Sequence, residues 1–236
     1  MRIYQAIYRQ LEADIKLCFK AGDYLPPEMQ LAARFQVNRH TVRRAIDELV
    51  INGFIQRHQG KGNMVLHQPQ LYKLQDGAHF TGNLVQQGAS PSCQVIRARL
   101  MPVTSRLLHE LQLGDQALVQ QQKIIHIQTL RRTEYIPHSI IHHYFSDPQW
   151  WSVLKQFQYG SLHDFLKLNL NVELKRISTR LGARIPTGEE SRLLQINKSM
   201  PVMRIKTKHQ LKGTEQMAEF SVSSARSDLI EYVVEH

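Results

Sequence analysis

The most constraining feature of the sequence is a pair of short amphipathic helices that are separated by about three residues. The first is predicted from about Pro27 to Phe35, because proline suits the first turn of a helix and apolar side chains follow at helical spacing. Asn38 can cap the second helix, which Asn52-Gly53 closes. The predicted buried stripe of this second helix consists of Val42, Ala45, Ile46, Leu49 and Val50. Two helices in this arrangement predict a helix-turn-helix.

The segments on either side extend this motif to a winged helix. A preceding helix that ends at Gly22 is predicted from apolar residues at a spacing of four, namely Ile3, Ile7, Leu11, Ile15 and Phe19. After the helix pair, two short strand patterns over 54–57 and 63–66 flank a turn that contains Gly60 and Gly62. We therefore expect a winged helix-turn-helix DNA-binding domain over residues 1–67 and a polar linker over 68–79.

The second helix of the pair carries basic residues at its N-terminal end, opposite the buried stripe. This is the end at which a recognition helix meets base edges in the major groove. Arginine can donate two parallel hydrogen bonds to guanine, whereas Thr41 is better suited to phosphate. In the wing, the glycines allow the backbone to approach DNA beside basic side chains. The predicted DNA-binding residues are Arg39, His40, Thr41, Arg43, Arg44, Arg57, Gly60 and Lys61.

Residues 4–66 resemble the winged helix of the GntR family. The resemblance is carried by LPPE at 25–28, LAARFQVNRHTVRRA at 31–45, GFI at 53–55 and GKG at 60–62. It implies that the bases are contacted by Arg39, His40 and Arg43. It also implies that Thr41 contacts the DNA backbone and that Gly60 lies at a wing tip that enters the minor groove.

The resemblance also bears on the operator. Met29 departs from the family pattern, which usually has a DNA-contacting arginine after the glutamate, so the operator preference should differ accordingly. A single winged helix reads too little sequence to be specific. We therefore expect a homodimer that binds a pseudo-palindromic site in double-stranded operator DNA.

From residue 80 onward the pattern changes to β-branched runs interleaved with helical stretches. An α+β domain with a mainly antiparallel sheet is therefore predicted over residues 80–236. The expected strands include 117–127 and 203–211, and the expected helices lie around 105–113, 160–169 and 188–194.

This second segment resembles the UTRA effector domain of the HutC subfamily, an α/β fold similar to chorismate lyase. The matching features, in order, are Phe80-Thr81 before a loop at Gly88, LQLGD at 111–115 and MAEFSVS at 217–223. Within the subfamily the resemblance is to regulators of phosphonate uptake and breakdown. It implies a ligand-responsive repressor whose effector is a phosphonate or a related phosphorylated metabolite.

A small anionic effector needs a pocket in which amides, hydroxyls and one or two cations converge. The candidate effector-binding residues are Thr81, Lys123, His126, Ser161, Glu219, Ser221, Ser223 and Arg226. Lys123 and His126 differ in strand parity, so at most one of them should face a given side of the sheet. Ser161 precedes a predicted helix, whose N-terminus can bind an anion. Arg131 and Arg132 are expected at an exposed hairpin tip.

Metal binding and catalysis are not expected. His138, His142 and His143 could suggest a metal, and His138 and His142 have the spacing of a helical ligand pair. Residues 139–145 are predicted to form a strand, however, which would not present that pair as a helix does. We therefore expect no metal and no cofactor. No nucleophile–base pair, phosphate loop or zinc motif stands out, although the resemblance to chorismate lyase keeps an enzyme as one alternative. Another alternative is a regulator of the same architecture that responds to a sugar phosphate or another small acid. The sequence also leaves open an activator of transcription.

Composition is consistent with a DNA-binding protein of the cytoplasm. The formal net charge of +10 favours a polyanionic partner. Cys18 and Cys93 have no CxxC or metal-like neighbours, which favours a reducing, cytoplasmic setting. The N-terminal residues lack the apolar segment of a signal peptide, and no run of about 18 apolar residues occurs, so we expect no membrane association.

Overall fold

The computed structural model describes residues 2–58, 60–66, 70–73, 91–133 and 135–234. The chain divides into two compact units, Met1–Pro69 and Gln70–His236. Among the described helices, none is long and apolar enough to cross a membrane. The expected effector contact at Thr81, and the Phe80-Thr81 and Gly88 features of the family resemblance, lie outside the described residues.

The first unit is a three-helix bundle with a two-stranded wing. Its elements are α1 (Ile3–Cys18), α2 (Glu28–Phe35), α3 (Arg39–Ile51), β1 (Ile55–His58) and β2 (Gly62–Val65). The strands pair antiparallel. One continuous core joins the inward faces of all five elements, and it includes Leu11, Leu31, Ile46, Leu49 and Ile55. The apolar spacing of the sequence therefore packs as predicted.

Short-range signals determine where α3 begins and ends. Oδ1 of Asn38 accepts a hydrogen bond from the backbone N–H of Thr41 at 2.9 Å, which satisfies one of the donors that the first turn of a helix leaves unpaired. At the other end, Gly53 has a φ of +72°, a left-handed conformation that glycine adopts without steric cost. Gln36 turns the chain between α2 and α3 with a φ of +53°. The helix-turn-helix is thus encoded locally.

The second unit is built on a six-stranded antiparallel sheet. Its strands, in their order across the sheet, are β4 (Pro91–Pro102), β5 (Lys123–Thr133), β6 (Ile136–Phe145), β9 (Met217–Arg226), β8 (Val202–Leu211) and β7 (Leu174–Arg184). Two short strands, β3 (Gln70–Lys73) and β10 (Ile230–Val233), form a separate parallel pair. The helices are α4 (Ser105–Leu111), α5 (Gln116–Val119), α6 (Trp151–Leu154), α7 (Leu162–Leu170) and α8 (Gly188–Leu194), with a 3₁₀ turn at Pro148–Trp150. The predicted α+β class and antiparallel sheet are confirmed.

Helices cover both faces of the sheet. On one side, which we call the α7 face, Ile125 and Phe145 pack with Leu166 of α7. On the other side, the α4 face, Ile124 and Phe220 pack with helix α4. Successive side chains of a strand point to opposite faces, so neighbouring residues enter different cores. The same rule decides which polar residues meet above each face.

Three expectations about the second unit need correction. Residues 116–119 form the short helix α5, and the strand predicted from 117 begins only at Lys123. Within the expected linker, residues 70–73 form strand β3, because their backbone groups pair with β10. Arg131 is not at an exposed tip. It is only 7% exposed, since β5 continues to Thr133 and directs this side chain onto the α7 face.

Candidate DNA-binding surface and effector cavity

Two arginines at the start of α3 share one carboxylate, that of Glu28 at the start of α2. Nε of Arg39 donates to Oε2 of Glu28 at 2.7 Å, and Nη2 of Arg43 donates to the same oxygen at 3.1 Å. The hydrogen bond from Arg43 lowers the pKa of Glu28 below its usual range, and the bond from Arg39 adds to this against the effect of burial. Glu28 therefore orders both guanidinium groups at the exposed end of the helix. Glu28 is not among the DNA-binding residues predicted from the sequence.

The other polar residues of this helix end have different partners. The hydroxyl of Thr41 donates to Oδ1 of Asn38 at 3.0 Å, so this side chain is part of the helix cap. The guanidinium of Arg44 lies 4.2 Å from the ring centroid of Tyr4 on α1, within the range of a cation–π contact. His40 is exposed. Arg44 is thus directed towards α1, away from the pair held by Glu28.

The wing presents its backbone through two glycines. Gly60 and Gly62 have φ values of +75° and +110°, which other residues adopt only with strain. Arg57 forms an ion pair with Asp47 of α3 and so links the wing to that helix. A groove of about 680 Å³ runs between the wing and the N-termini of α2 and α3. The predicted residues that line it are Arg39, Arg57, Gly60 and Lys61.

A cavity of about 80 Å³ lies on the α7 face of the second unit. Three of the predicted effector residues line it, namely Ser161, Ser221 and Ser223. Its cationic groups are Arg131 of β5 and Arg176 of β7, neither of which was predicted. Nη2 of Arg176 donates to the hydroxyl of Tyr72 at 3.2 Å. Two guanidinium groups and several hydroxyls around so small a volume are suited to the head group of an anion.

Three of the histidines that line this cavity surround the carboxylate of Glu219, which is 0% exposed. Nδ1 of His143 lies 2.6 Å from Oε1, and Nε2 of His163 lies 2.8 Å from Oε2. Nδ1 of His209 is 2.9 Å from Oε2, although the ring is not aligned for a hydrogen bond. Of these four residues, Glu219 was predicted to bind the effector and His143 was considered as a metal ligand, whereas the sequence did not single out His163 or His209. We call the set Glu219, His143, His163 and His209 the histidine cluster.

Burial dominates the protonation of the histidine cluster. It lowers the pKa of His143 to about 4, despite the opposing hydrogen bond with Glu219. It likewise lowers the pKa of His209. Burial opposes the ionisation of Glu219, but the neighbouring charges of His163 and His209 and the hydrogen bonds outweigh it and keep the pKa well below its usual range. The carboxylate is therefore ionised at neutral pH, and His143 is a neutral imidazole.

The remaining described candidates do not join this cavity. Lys123 is exposed at the first residue of β5. Arg226 donates to Asp228 at 2.6 Å and to the backbone oxygen of Leu194 at 3.4 Å. His126 points to the α4 face, as its parity relative to Lys123 allowed, and Nε2 of its ring lies 3.0 Å from Nδ1 of His142.

His126 belongs to a second and larger cavity, of about 670 Å³, on the α4 face. Arg99, Arg106 and Arg204 contribute positive charge to its lining. Arg184 and Glu190 also line it and form an ion pair with each other. That ion pair and the hydrogen bond from Ser224 to Glu190 at 2.6 Å tie α8 to the sheet.

Comparison with known proteins gives the same two-part division. Residues 3–65 match the family model for bacterial regulatory proteins of the gntR family, and residues 86–231 match the model for the UTRA domain. The chain is 40% identical over 233 residues to the probable transcriptional regulator PhnF of Escherichia coli K12, covering 99% of this chain and 95% of that protein. It is 28% identical over 205 residues to the HTH-type transcriptional repressor NagR of Bacillus subtilis 168, covering 86% and 82%. The fold resembles the crystal structure of PhnF from Mycobacterium smegmatis, with a TM-score of 0.72 at 18% identity over 98% of both chains.

Proposed function

We propose that this chain, which belongs to the gntR family of bacterial regulatory proteins and carries a UTRA domain, is a repressor. A phosphonate or a related phosphorylated metabolite weakens its binding to operator DNA. The family resemblance inferred from the motifs is confirmed, and the protein is a transcriptional regulator. The observation that carries the effector part of the proposal is the small cavity lined by Arg131, Arg176 and three serine hydroxyls. The setting we propose is the cytoplasm, where operator DNA is found.

The DNA contacts follow from the arrangement at α3. We assign base contacts to Arg39, His40 and Arg43, which lie at the exposed N-terminal end of the helix. Glu28 holds two of these side chains extended beside each other, so less conformational freedom is lost when they meet the bases. Phosphate contacts are assigned to Thr41, Arg44, Arg57 and Lys61, with Gly60 at the wing tip in the minor groove.

The effector contacts follow from charge and size. A phosphonate carries up to two negative charges on a compact tetrahedral head, and guanidinium groups pair with such oxygens in a bidentate manner. Arg131 and Arg176 supply these donors, and the hydroxyls of Ser161, Ser221 and Ser223 supply neutral ones. Ser161 also caps α7 by accepting from the N–H of Asp164 at 3.3 Å, so the positive end of that helix adds to the attraction.

Regulation then requires two states of the protein. We propose that the protein is a homodimer, since one winged helix contacts too few base pairs to be specific. Effector binding then favours a state in which the spacing of the two winged-helix domains no longer matches that of the operator half-sites. NagR, a relative at 28% identity, is described as a repressor, which supports the same sign of regulation here. A sugar phosphate would use the same anionic head and is the alternative effector class.

The effector assignment is tested by thermal unfolding of the full chain with alkylphosphonates, a sugar phosphate and inorganic phosphate. A ligand at 100 times its Kd stabilises the folded state by about 2.7 kcal/mol, which raises Tm by roughly 5–10 °C in a unit of this size. Arg176→Gln should weaken the binding by about 10- to 100-fold, the contribution of a hydrogen bond to a charged group. Arg180→Gln is the matched control, because Arg180 is on the same strand but pairs with Glu110.

Two results would overturn this proposal. One is the absence of stabilisation by any of these anions at millimolar concentration. The other is equal weakening by Arg176→Gln and Arg180→Gln, which would place the site elsewhere. Footprinting on an operator tests the dimer separately, since protection without two-fold symmetry contradicts it.

A further inference from the structure

The histidine cluster brings side chains from four separate elements to one point. His143 comes from β6, His163 from α7, His209 from β8 and Glu219 from β9. Elements so distant in sequence are held together by the sheet and by the packing of α7, so the cluster does not depend on the mobility of a loop. The expected absence of a metal site concerned His138, His142 and His143, of which only His143 belongs to this cluster; His142 lies on the α4 face.

The histidine cluster encloses a buried carboxylate whose charge needs compensation. Glu219 is fully buried, and within the described residues the ion pairs recorded for it are all with histidines. A buried carboxylate needs a compensating positive charge, whereas a buried imidazole favours its neutral form. Both ring nitrogens of His209, which is 3% exposed, lack a hydrogen-bond partner within the described structure, as does Nε2 of His143. A network of hydrogen bonds alone leaves these groups poorly satisfied.

The geometry is that of an N/O ligand set. Nδ1 of His143, Nε2 of His163 and the carboxylate of Glu219 lie within 4.8 Å of one another. Tetrahedral zinc with ligands at about 2.0–2.2 Å separates neighbouring ligand atoms by about 3.3 Å. The distances of 2.6 and 2.8 Å to the Glu219 oxygens would therefore widen by about 0.5 to 0.7 Å, which side-chain rotation supplies.

We propose that the histidine cluster binds a divalent transition-metal ion of the zinc class through His143, His163 and Glu219, with His209 placed to complete the coordination. Imidazole and carboxylate ligands suit zinc, and three protein ligands with a further position are a recurrent zinc arrangement. The ion would convert a buried negative charge into a net positive one at the wall of the cavity that His143 and His163 line. This inference rests on the proposed function only in that the positive charge of the ion would favour an anionic head group in the cavity.

The test is a titration of the full-length, untagged protein with Zn²⁺. The protein is first stripped with EDTA and transferred to chelator-free buffer, and Zn²⁺ is then partitioned against a chromophoric chelator. We expect one equivalent to bind per chain. Co²⁺ in place of Zn²⁺ should give the intense visible absorption of a tetrahedral site.

The variants decide which residues are responsible. Mutation of a residue that only hydrogen-bonds to a metal ligand typically weakens metal binding by roughly 10- to 100-fold. His163→Gln removes a ligand itself, so it should weaken Zn²⁺ binding by at least this factor. Glu219→Gln should do the same if circular dichroism shows that it folds. His142→Gln is the matched control, since His142 is the neighbour of His143 on β6 but lines the α4 face, and its binding should equal that of the unmodified protein.

Three outcomes would overturn the inference: no stoichiometric binding, unchanged binding in His163→Gln, or a Co²⁺ spectrum of the octahedral hydrate. If Glu219→Gln does not fold, His163→Gln decides alone, because its side chain is partly exposed at the start of α7. The titration contains no effector, and the anion screen is run on stripped protein. Failure of the metal site and failure of the effector proposal are therefore distinguishable.

Discussion

Truncation of Arg43 should weaken operator recognition with little effect on folding. The side chain is 44% exposed, and Glu28 retains its bond from Arg39 at 2.7 Å when Arg43 is lost. Alanine is the strongest helix former, so Arg43→Ala leaves α3 intact, and exposed ion pairs contribute little to the free energy of unfolding. Arg34→Ala is the matched control, because Arg34 is 50% exposed and pairs with Asp14 on α1 at 2.7 Å.

The magnitude follows from the type of contact that we assign. A bidentate contact between arginine and guanine discriminates against the wrong base by roughly 5- to 150-fold in affinity. We expect Kd for the operator to rise by this factor in Arg43→Ala, while binding to a random duplex of equal length changes little. Arg34→Ala should change neither. An operator selected from a random pool with the unmodified protein, followed by fluorescence anisotropy at several salt concentrations, measures all of these quantities.

The salt dependence of binding distinguishes a contact between Arg43 and a base from a contact between Arg43 and phosphate. If Arg43 contacts phosphate, both duplexes bind more weakly and the slope of log K against log salt falls by about 1. If it contacts a base, the slope is nearly unchanged and only the affinity for the operator falls. An unaltered ratio of operator to random affinity in Arg43→Ala would refute our placement of this side chain at a base edge.

Two further predictions concern the stability of the two units. Asn38→Ala removes the cap of α3 and should cost about 1 kcal/mol, which lowers the Tm of the first unit by roughly 4–8 °C in helical circular dichroism of the full chain. Asn38→Asp keeps the acceptor and should keep that Tm, whereas an equal fall in both variants would contradict the capping role. The second unit should lose stability in acid, because burial lowers the pKa of His126 to about 4 and of His138 to about 3. Lowered histidine pKa values mean that the unfolded chain binds more protons below pH 6.5, so stability present at pH 7.5 is lost by up to about 2 kcal/mol per histidine at pH 5. Urea unfolding followed by the fluorescence of Trp150 and Trp151, both in this unit, measures the loss, and an unchanged midpoint between the two pH values would contradict it.

The DNA-binding unit was largely predictable, because its signals act over a few residues. The apolar spacing of α3, the cap at Asn38 and the glycine after its last turn each specify structure within one or two helical turns. Glu28 was the exception. Its role depends on the angle at which α2 meets α3, and nothing in the spacing of 11 residues to Arg39 reveals that the two side chains touch.

The lining of the proposed effector cavity was predictable only in part. Ser161, predicted at the N-terminus of a helix, and Ser221 and Ser223, named from the late strand, all line it. Its arginines were not predicted. Arg131 was expected at a hairpin tip, because the length of β5 was not known, and a register shift in β7 alters the parity from which Arg176 could have been placed. Arg176 and Arg180 have the same parity in β7, yet a shift between Arg176 and Ser178 allows the first to reach the α7 face while the second pairs with Glu110 of α4.

The sequence by itself therefore determined the family, the winged helix and the α+β class of the second unit, since these depend on local patterns and on motifs of fixed spacing. Only the tertiary structure decided which charged groups share a cavity and that three histidines surround Glu219. The physical reason is that the order of strands across the sheet brings β5, β6, β7, β8 and β9 into one surface. Side chains such as those of His143 and Glu219, which are 76 residues apart, then lie within hydrogen-bonding distance. Such contacts depend on the register of the strands, which hydrophobic periodicity leaves open.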